Sequence, residues 1–131
     1  MFRLIAGTVS GAVVWFVAVL VLGFLCRIVW PEMAAIRDMM LLTLPMLITR
    51  LAISALGSVA GGYAAAMVAR ENTKAPLAAG ILLLVVFVPY HLTIWQNFPV
   101  WYHVTFFVSL PVLSLLGGLV RSSPRLKPRI Q

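Results

Sequence analysis

The chain has few charged residues and very few acidic ones. Of its 131 residues only 10% are charged, with three Asp or Glu against ten Lys or Arg, and 63% are hydrophobic. A soluble domain has about 25% charged and about 45–50% apolar residues. So few charges cannot cover the surface of a water-soluble domain of this size. The mean hydropathy of +1.06 therefore indicates that much of the surface faces lipid.

Cysteine is nearly absent as well, since Cys26 is the only one. One cysteine excludes an intrachain disulfide and any metal centre built from several thiolates. The net charge of +7 is typical of nucleic-acid-binding proteins, but the basic residues lie at the breaks between apolar runs and in the tail. We therefore expect the lipid bilayer as a partner, and no nucleic acid.

Four apolar runs are long enough to cross a bilayer, which takes about 20 helical residues. They cover residues 4–26, 51–69, 77–95 and 101–120. The first run exceeds the roughly 7–15 apolar residues of a cleavable signal, so we interpret it as a retained helix. The sequence predicts an all-α polytopic membrane protein, a bundle of four transmembrane helices in a single domain over residues 1–121. A basic tail, residues 122–131, follows the domain.

The segment 32–49, between the first two runs, allows two interpretations. In the first it is amphipathic and interfacial, and Arg50 anchors at the headgroups by extending its side chain. In the second, the second helix begins near Met39 and buries Arg50 in mid-membrane, at a cost of at least about 2.5–3.5 kcal/mol. We prefer the first interpretation, because all three acids lie outside the apolar runs and none can neutralise a buried arginine.

The distribution of charge predicts the orientation. Four helices place both termini and the loop after the second helix on one side, together with seven of the ten basic residues. The other side has Arg27, Arg37 and Arg50. By the positive-inside rule both termini are cytoplasmic. The opposite side carries aromatic rings suited to the headgroup region, and the predicted interface anchors there are Arg50, Trp95, Trp101 and Tyr102.

Small residues recur at four-residue spacing in the first two helices. They are Gly7 and Gly11, and then Gly57, Gly61 and Ala65. Such a face lets helix backbones approach closely in lipid. It predicts packing inside the bundle or, alternatively, a docking surface for a second copy or another membrane protein.

Two histidines and four methionines are the candidate cofactor or metal ligands. His91 and His103 lie near the same end of the third and fourth helices, where a facing pair could bind haem or a metal. The methionines on that side, Met33, Met39, Met40 and Met46, are soft ligands compatible with copper(I). Methionine also fills irregular apolar surfaces, and the spacing matches no metal motif, so we expect no cofactor. No Gly-x-Ser-x-Gly turn or histidine-orienting acid is present, so we expect no enzymatic activity.

The second half of the chain carries a pattern of small and aromatic residues. It comprises Gly61-Gly62-Tyr63-Ala64-Ala65, Ala69-Arg70, Phe98-Pro99-x-Trp101-Tyr102-His103 and Leu116-Gly117-Gly118. This pattern resembles small four-helix bacterial inner-membrane proteins whose function is uncharacterised. The resemblance implies a bacterial inner-membrane location and transfers no activity and no functional residue.

These features favour an accessory or interaction protein without catalytic activity of its own. Its partner would be a second copy, giving a homo-oligomer, or a larger membrane protein. The first alternative is an oligomeric pore or a carrier of lipids or small solutes. The second alternative is a haem- or copper-binding membrane protein.

Overall fold

Residues 1–33 and 42–121 are described by the structure, a computed structural model, and their secondary structure is helical without strands. The main helices are α1 (Phe2–Val29), α2 (Leu44–Ala69), α3 (Lys74–Thr93) and α4 (Val100–Arg121), and a 3-10 helix (Trp95–Asn97) lies between α3 and α4. All four main helices are long and apolar enough to cross a membrane. The predicted all-α fold with four candidate membrane-spanning helices is confirmed.

Helix α2 begins earlier than the apolar run indicated. It starts at Leu44, with Pro45 in the first turn, whereas the prediction placed its start at residue 51. Proline is tolerated in a first turn, and arginine is a good helix former, so Arg50 marks a change in hydropathy and not the end of a helix. Residues 44–49 of the predicted interfacial segment therefore belong to α2.

Two further sequence predictions fall outside the described residues. One is the central part of the interfacial segment, residues 34–41, with the alternative helix start at Met39. The other is the basic tail, residues 122–131.

One end of the bundle, here called the hairpin end, contains the C-terminus of α1, the start of α2 and the connection from α3 to α4. Arg50 lies there in the second turn of α2, with its guanidinium carbon 5.8 Å from the ring centre of Phe98 in that connection. The 26 residues of α2 extend about 39 Å, which exceeds a hydrocarbon core of about 30 Å. A helix of that length can cross the core and still leave Arg50 near one boundary.

The opposite end, here called the termini end, contains the turn from α2 to α3. Arg70 ends α2 in the left-handed conformation, with φ of 58°. The Glu71 carboxylate then accepts backbone N–H bonds from Thr73, which precedes α3, and from Lys74 and Ala75 in its first turn. Partial burial raises the pKa of Glu71, but these N–H donors outweigh it and leave the pKa below its usual value of 4.5. Glu71 therefore stabilises the start of α3 as an anion.

Small residues determine how α1 packs on α2. A Cβ atom added to Gly11 would lie 2.8 Å from the Gly61 carbonyl oxygen, and one added to Gly61 would lie 2.6 Å from the Gly11 carbonyl oxygen. Gly7 similarly faces the backbone of Ala65. Gly57 faces the side chains of Trp15 and Val19 instead. The small-residue stripe of α2 is thus occupied by α1 within the same chain.

The core side chains are small at one end of the bundle and large at the other. Alanines from α2 and α3 pack together at the termini end, namely Ala65, Ala69, Ala75 and Ala79. Large side chains form the middle and the hairpin end, including Trp15, Leu83, Phe106 and Leu110 in one cluster and Leu47, Ile94, Phe98 and Tyr102 in another. Helices can therefore approach more closely at the termini end than at the hairpin end.

Helix α1 lies at one corner of the bundle. It contacts α2 and α3, whereas α4 contacts the same two helices from the opposite corner. In α1 the buried residues are Gly7, Gly11 and Trp15, and none of residues 16–29 is buried. The C-terminal half of α1 is therefore only loosely packed, and a cleft remains between it and the rest of the bundle.

Candidate functional site

The cleft has a volume of about 510 Å³ and opens beside the C-terminal half of α1. This volume is within the range of about 300–1,000 Å³ that is usual for small-molecule sites. Its walls come from α1, α2 and α3, with Tyr102 and Phe106 contributed by α4. It is therefore large enough for one small ligand.

The walls and floor of the cleft are mostly apolar. On α1 the wall contains Phe16, Leu20, Gly23 and Phe24, which follow one another at steps of one helical turn or less. The floor is aromatic, because the Trp15 ring packs against Phe87 with the ring centres 5.0 Å apart. Trp15 Nε1 also donates a hydrogen bond of 3.2 Å to Ser58 Oγ, which holds the floor to α2. These surfaces favour hydrocarbon over water.

Gly23 leaves open space in this wall. A Cβ atom added to Gly23 would meet no other atom within 4 Å. In contrast, each of Gly7, Gly11 and Gly61 would place a Cβ atom against backbone of the facing helix. Gly23 therefore does not serve close helix packing, and the space beside it belongs to the cleft.

Polar groups of the cleft lie toward the hairpin end. Arg27 comes from the last turns of α1 and Arg50 from the second turn of α2. Cys26 and Met33 lie near them, with the Cys26 thiol donating to the Met33 thioether at 3.6 Å. The cleft is therefore basic at its hairpin end and aromatic at its floor.

Ser54 is a polar residue on the cleft wall, and its hydroxyl has no hydrogen-bond partner among the described residues. It lies one turn after Arg50 on α2, is only 4% exposed, and its Oγ makes no hydrogen bond within residues 1–33 and 42–121. A buried hydroxyl without a hydrogen bond costs about 1–3 kcal/mol. A ligand atom that accepts from this hydroxyl would remove the cost.

His91 and His103 meet inside the bundle at the hairpin end. Both are buried, and their Nδ1 atoms are 2.7 Å apart. His103 Nε2 lies 3.2 Å from the Trp95 carbonyl oxygen, which can only accept, so this nitrogen carries a hydrogen. With both rings neutral, His91 then donates from Nδ1 to His103 Nδ1. The unprotonated Nε2 of His91, a residue that lines the cleft, is left as an acceptor.

This geometry is that of a hydrogen bond and not of a shared metal. Two nitrogens bound to one tetrahedral metal ion, each at about 2.0–2.1 Å, would be about 3.3–3.4 Å apart. Within residues 1–33 and 42–121 there is no group of three or more His, Cys, Asp or Glu that could hold a metal ion. Of the candidate methionines, Met33 lines the cleft and Met46 is buried outside it, while Met39 and Met40 lie outside the described residues.

The aromatic candidates for interface anchors occupy different environments. Trp101 is exposed, whereas Trp95 stacks on His103 with the ring centres 4.5 Å apart. Tyr102 is only 3% exposed and lines the cleft. It points inward because it lies on the same face of α4 as Phe106 and Leu110, four and eight residues later.

Most residues of the cleft could not be identified as site residues from the sequence, and these include Gly23, Arg27 and Ser54. The available signal was slight, a serine in an apolar run four residues after an arginine. No protein-family model, curated protein or solved structure matches the chain. Its function is therefore argued from the chemistry of the cleft.

Proposed function

We propose that the protein is a membrane protein that binds one amphiphilic molecule, such as a lipid, in this cleft. The observation that carries the proposal is the open space beside Gly23 in an otherwise apolar wall. A binding role without catalysis fits the sequence, which offers no nucleophile with a base and an orienting acid. It corresponds to the carrier alternative, with a single chain forming the site.

The position of the cleft supports an occupant that comes from the bilayer. Leu20 and Phe24 line it and are nevertheless 71% and 63% exposed. The wall formed by α1 is therefore accessible from the apolar surroundings of the bundle. A hydrocarbon chain can enter from that side without crossing water.

Filling the space beside Gly23 tests the proposal. We expect Gly23→Phe to retain much less lipid than the natural chain after extraction in mild detergent, because the added ring occupies the cleft. Thermal stability should not fall, since no protein atom lies where the side chain begins. Bound lipid is measured by native mass spectrometry.

The matched control is Val21→Phe, which adds a ring to an exposed position of α1 that does not line the cleft. It should keep its lipid. Equal lipid retention in both variants and the natural chain would contradict the proposal.

We also propose that the membrane is the bacterial inner membrane, with both termini in the cytoplasm. The support is the excess of basic residues beside the termini and the α2–α3 turn. The hairpin end of the cleft then faces the periplasmic side.

This orientation predicts an all-or-none reporter result. A phosphatase that is active only outside the cytoplasm should be inactive when fused after Gln131 and active when inserted at Asn97, which is exposed in the 3-10 helix. A fluorescent protein that folds only in the cytoplasm should give the opposite pattern. The reverse of both patterns would show that the orientation is wrong.

The interaction-protein hypothesis needs a free docking surface, and the small-residue stripe of α2 is such a surface only under the second of its two interpretations. Since Gly61 and Ala65 lie against Gly11 and Gly7, that stripe offers a partner little free surface. We therefore place lipid binding first among the candidate functions.

A further inference from the structure

If the cleft binds a lipid, as proposed above, the residues at its hairpin end determine which head group it accepts. Arg27 and Arg50 approach the cleft from two different helices. Each contributes a planar, positively charged guanidinium group with several N–H donors. Two fixed charges beside an apolar cavity favour an anionic group over a neutral or zwitterionic one.

The described part of the chain supplies no anion for these charges. Its two carboxylates are Glu32, which is exposed and does not line the cleft, and Glu71, which caps α3 at the termini end. The third acid, Asp38, lies outside the described residues. Arg50 lies over the ring of Phe98, with 5.8 Å from the guanidinium carbon to the ring centre, and within residues 1–33 and 42–121 its hydrogen-bond donors remain for another group.

Polarity then decreases in a fixed order along α2. Arg50 comes first, and one turn deeper lies the Ser54 hydroxyl, which has no hydrogen-bond partner among the described residues. The Trp15 ring, held to α2 by its hydrogen bond to Ser58, forms the apolar floor. One helical turn is a rise of about 5.4 Å. A glycerophospholipid presents its groups in the same order: a phosphate, then an ester carbonyl that can only accept, then hydrocarbon.

We infer that the cleft selects an anionic glycerophospholipid. The phosphate lies between Arg27 and Arg50, an ester carbonyl accepts a hydrogen bond from Ser54 Oγ, and one acyl chain lies along Gly23 toward Trp15. Guanidinium groups bind phosphate through paired N–H donors. Their two positive charges favour a head whose phosphate is not balanced by a cation of its own, which gives the site its selectivity for an anionic head. The Ser54 hydroxyl, otherwise without a partner, gives selectivity for the ester.

The selectivity for the head is tested with purified full-length protein in nanodiscs or mixed micelles. Phosphatidylglycerol and phosphatidylcholine with identical acyl chains compete for the site, and native mass spectrometry measures the bound fraction of each. We expect the natural chain to prefer phosphatidylglycerol. Arg27→Gln and Arg50→Gln should each reduce that preference at least about tenfold, with a smaller loss of phosphatidylcholine, whose phosphate charge is already balanced by its choline. Arg3→Gln removes the same charge at the other end of the bundle and should leave the preference unchanged.

The ester contact has its own test. The natural chain should bind diacyl phosphatidylglycerol more tightly than the dialkyl ether form, which lacks the carbonyl. Ser54→Ala should remove this difference and keep the preference for the anionic head. An unchanged ester preference in Ser54→Ala would overturn the ester contact.

Soluble glycerol phosphate separates a lipid from a free anion, and it should not displace the lipid. Displacement at comparable concentration would overturn the assignment of a lipid. If the arginine variants lose both lipids equally, the inferred selectivity for an anionic head is wrong. If Gly23→Phe releases lipid in the same experiments, the proposed lipid-binding function still holds. No lipid loss in Gly23→Phe would instead show that the proposed function itself is wrong.

Discussion

Gly62→Ala should destabilise the protein, although alanine is the better helix former. A Cβ atom at this position would overlap the carbonyl oxygen of Ser114 in α4, and it would lie 2.6 Å from the carbonyl carbon of the same residue. Gly117 is the reciprocal position, where a Cβ atom would overlap the Val59 carbonyl oxygen of α2. Backbone cannot move aside as a flexible side chain can, so α2 and α4 must separate.

The expected size of this effect is a loss of about 1–3 kcal/mol in the free energy of unfolding. It is measured by titrating the protein in mild detergent with a denaturing detergent. Two other glycines provide matched controls for the same substitution. Gly57→Ala places its Cβ atom 3.0 Å from a Val19 methyl group and should have a small effect.

Gly23→Ala meets no atom and should leave stability unchanged or raise it by up to about 1 kcal/mol. An equal change at Gly62 and Gly23 would contradict the close approach of α2 and α4.

The helices could be predicted because membrane insertion depends on the composition of a single segment. An apolar run of about 20 residues needs no partner to be recognised. The start of α2 was harder to predict, because charge indicates where a segment leaves the hydrocarbon and not where its hydrogen bonds begin. Both Thr49 and Arg50 lie within the helix. The Thr49 hydroxyl donates a hydrogen bond of 2.8 Å to the Pro45 carbonyl oxygen, one turn earlier.

The cleft could not be predicted, since it depends on how two helices diverge. The four-residue spacing identified Gly11 and Gly61, but the same spacing does not say that no residue of α1 after Trp15 is buried. Gly23 looks like any other glycine in the sequence, and only the position of the facing helices distinguishes open space from close packing. His91 and His103 could be assigned to the same end of the bundle, whereas their direct contact of 2.7 Å depends on side-chain orientation.

Gly61→Ile should detach α1 and thereby remove one wall of the cleft. The Gly61 position faces the Gly11 carbonyl oxygen, so a branched side chain there pushes α1 away from α2 at their closest approach. Because α1 contacts α2 and α3 and lies opposite α4, it has no third large interface to retain it. We expect a loss of about 1–3 kcal/mol in the free energy of unfolding, together with loss of the bound lipid.

Ala60→Ile is the matched control, because Ala60 is the preceding residue of α2 and is exposed. It should change neither stability nor lipid retention. Gly61→Ile should lose both stability and bound lipid, whereas Gly23→Phe should lose bound lipid and keep its stability. If Gly61→Ile instead leaves stability and lipid intact but abolishes cross-linking between copies, the stripe is a docking surface, and the packing of α1 on α2 is wrong.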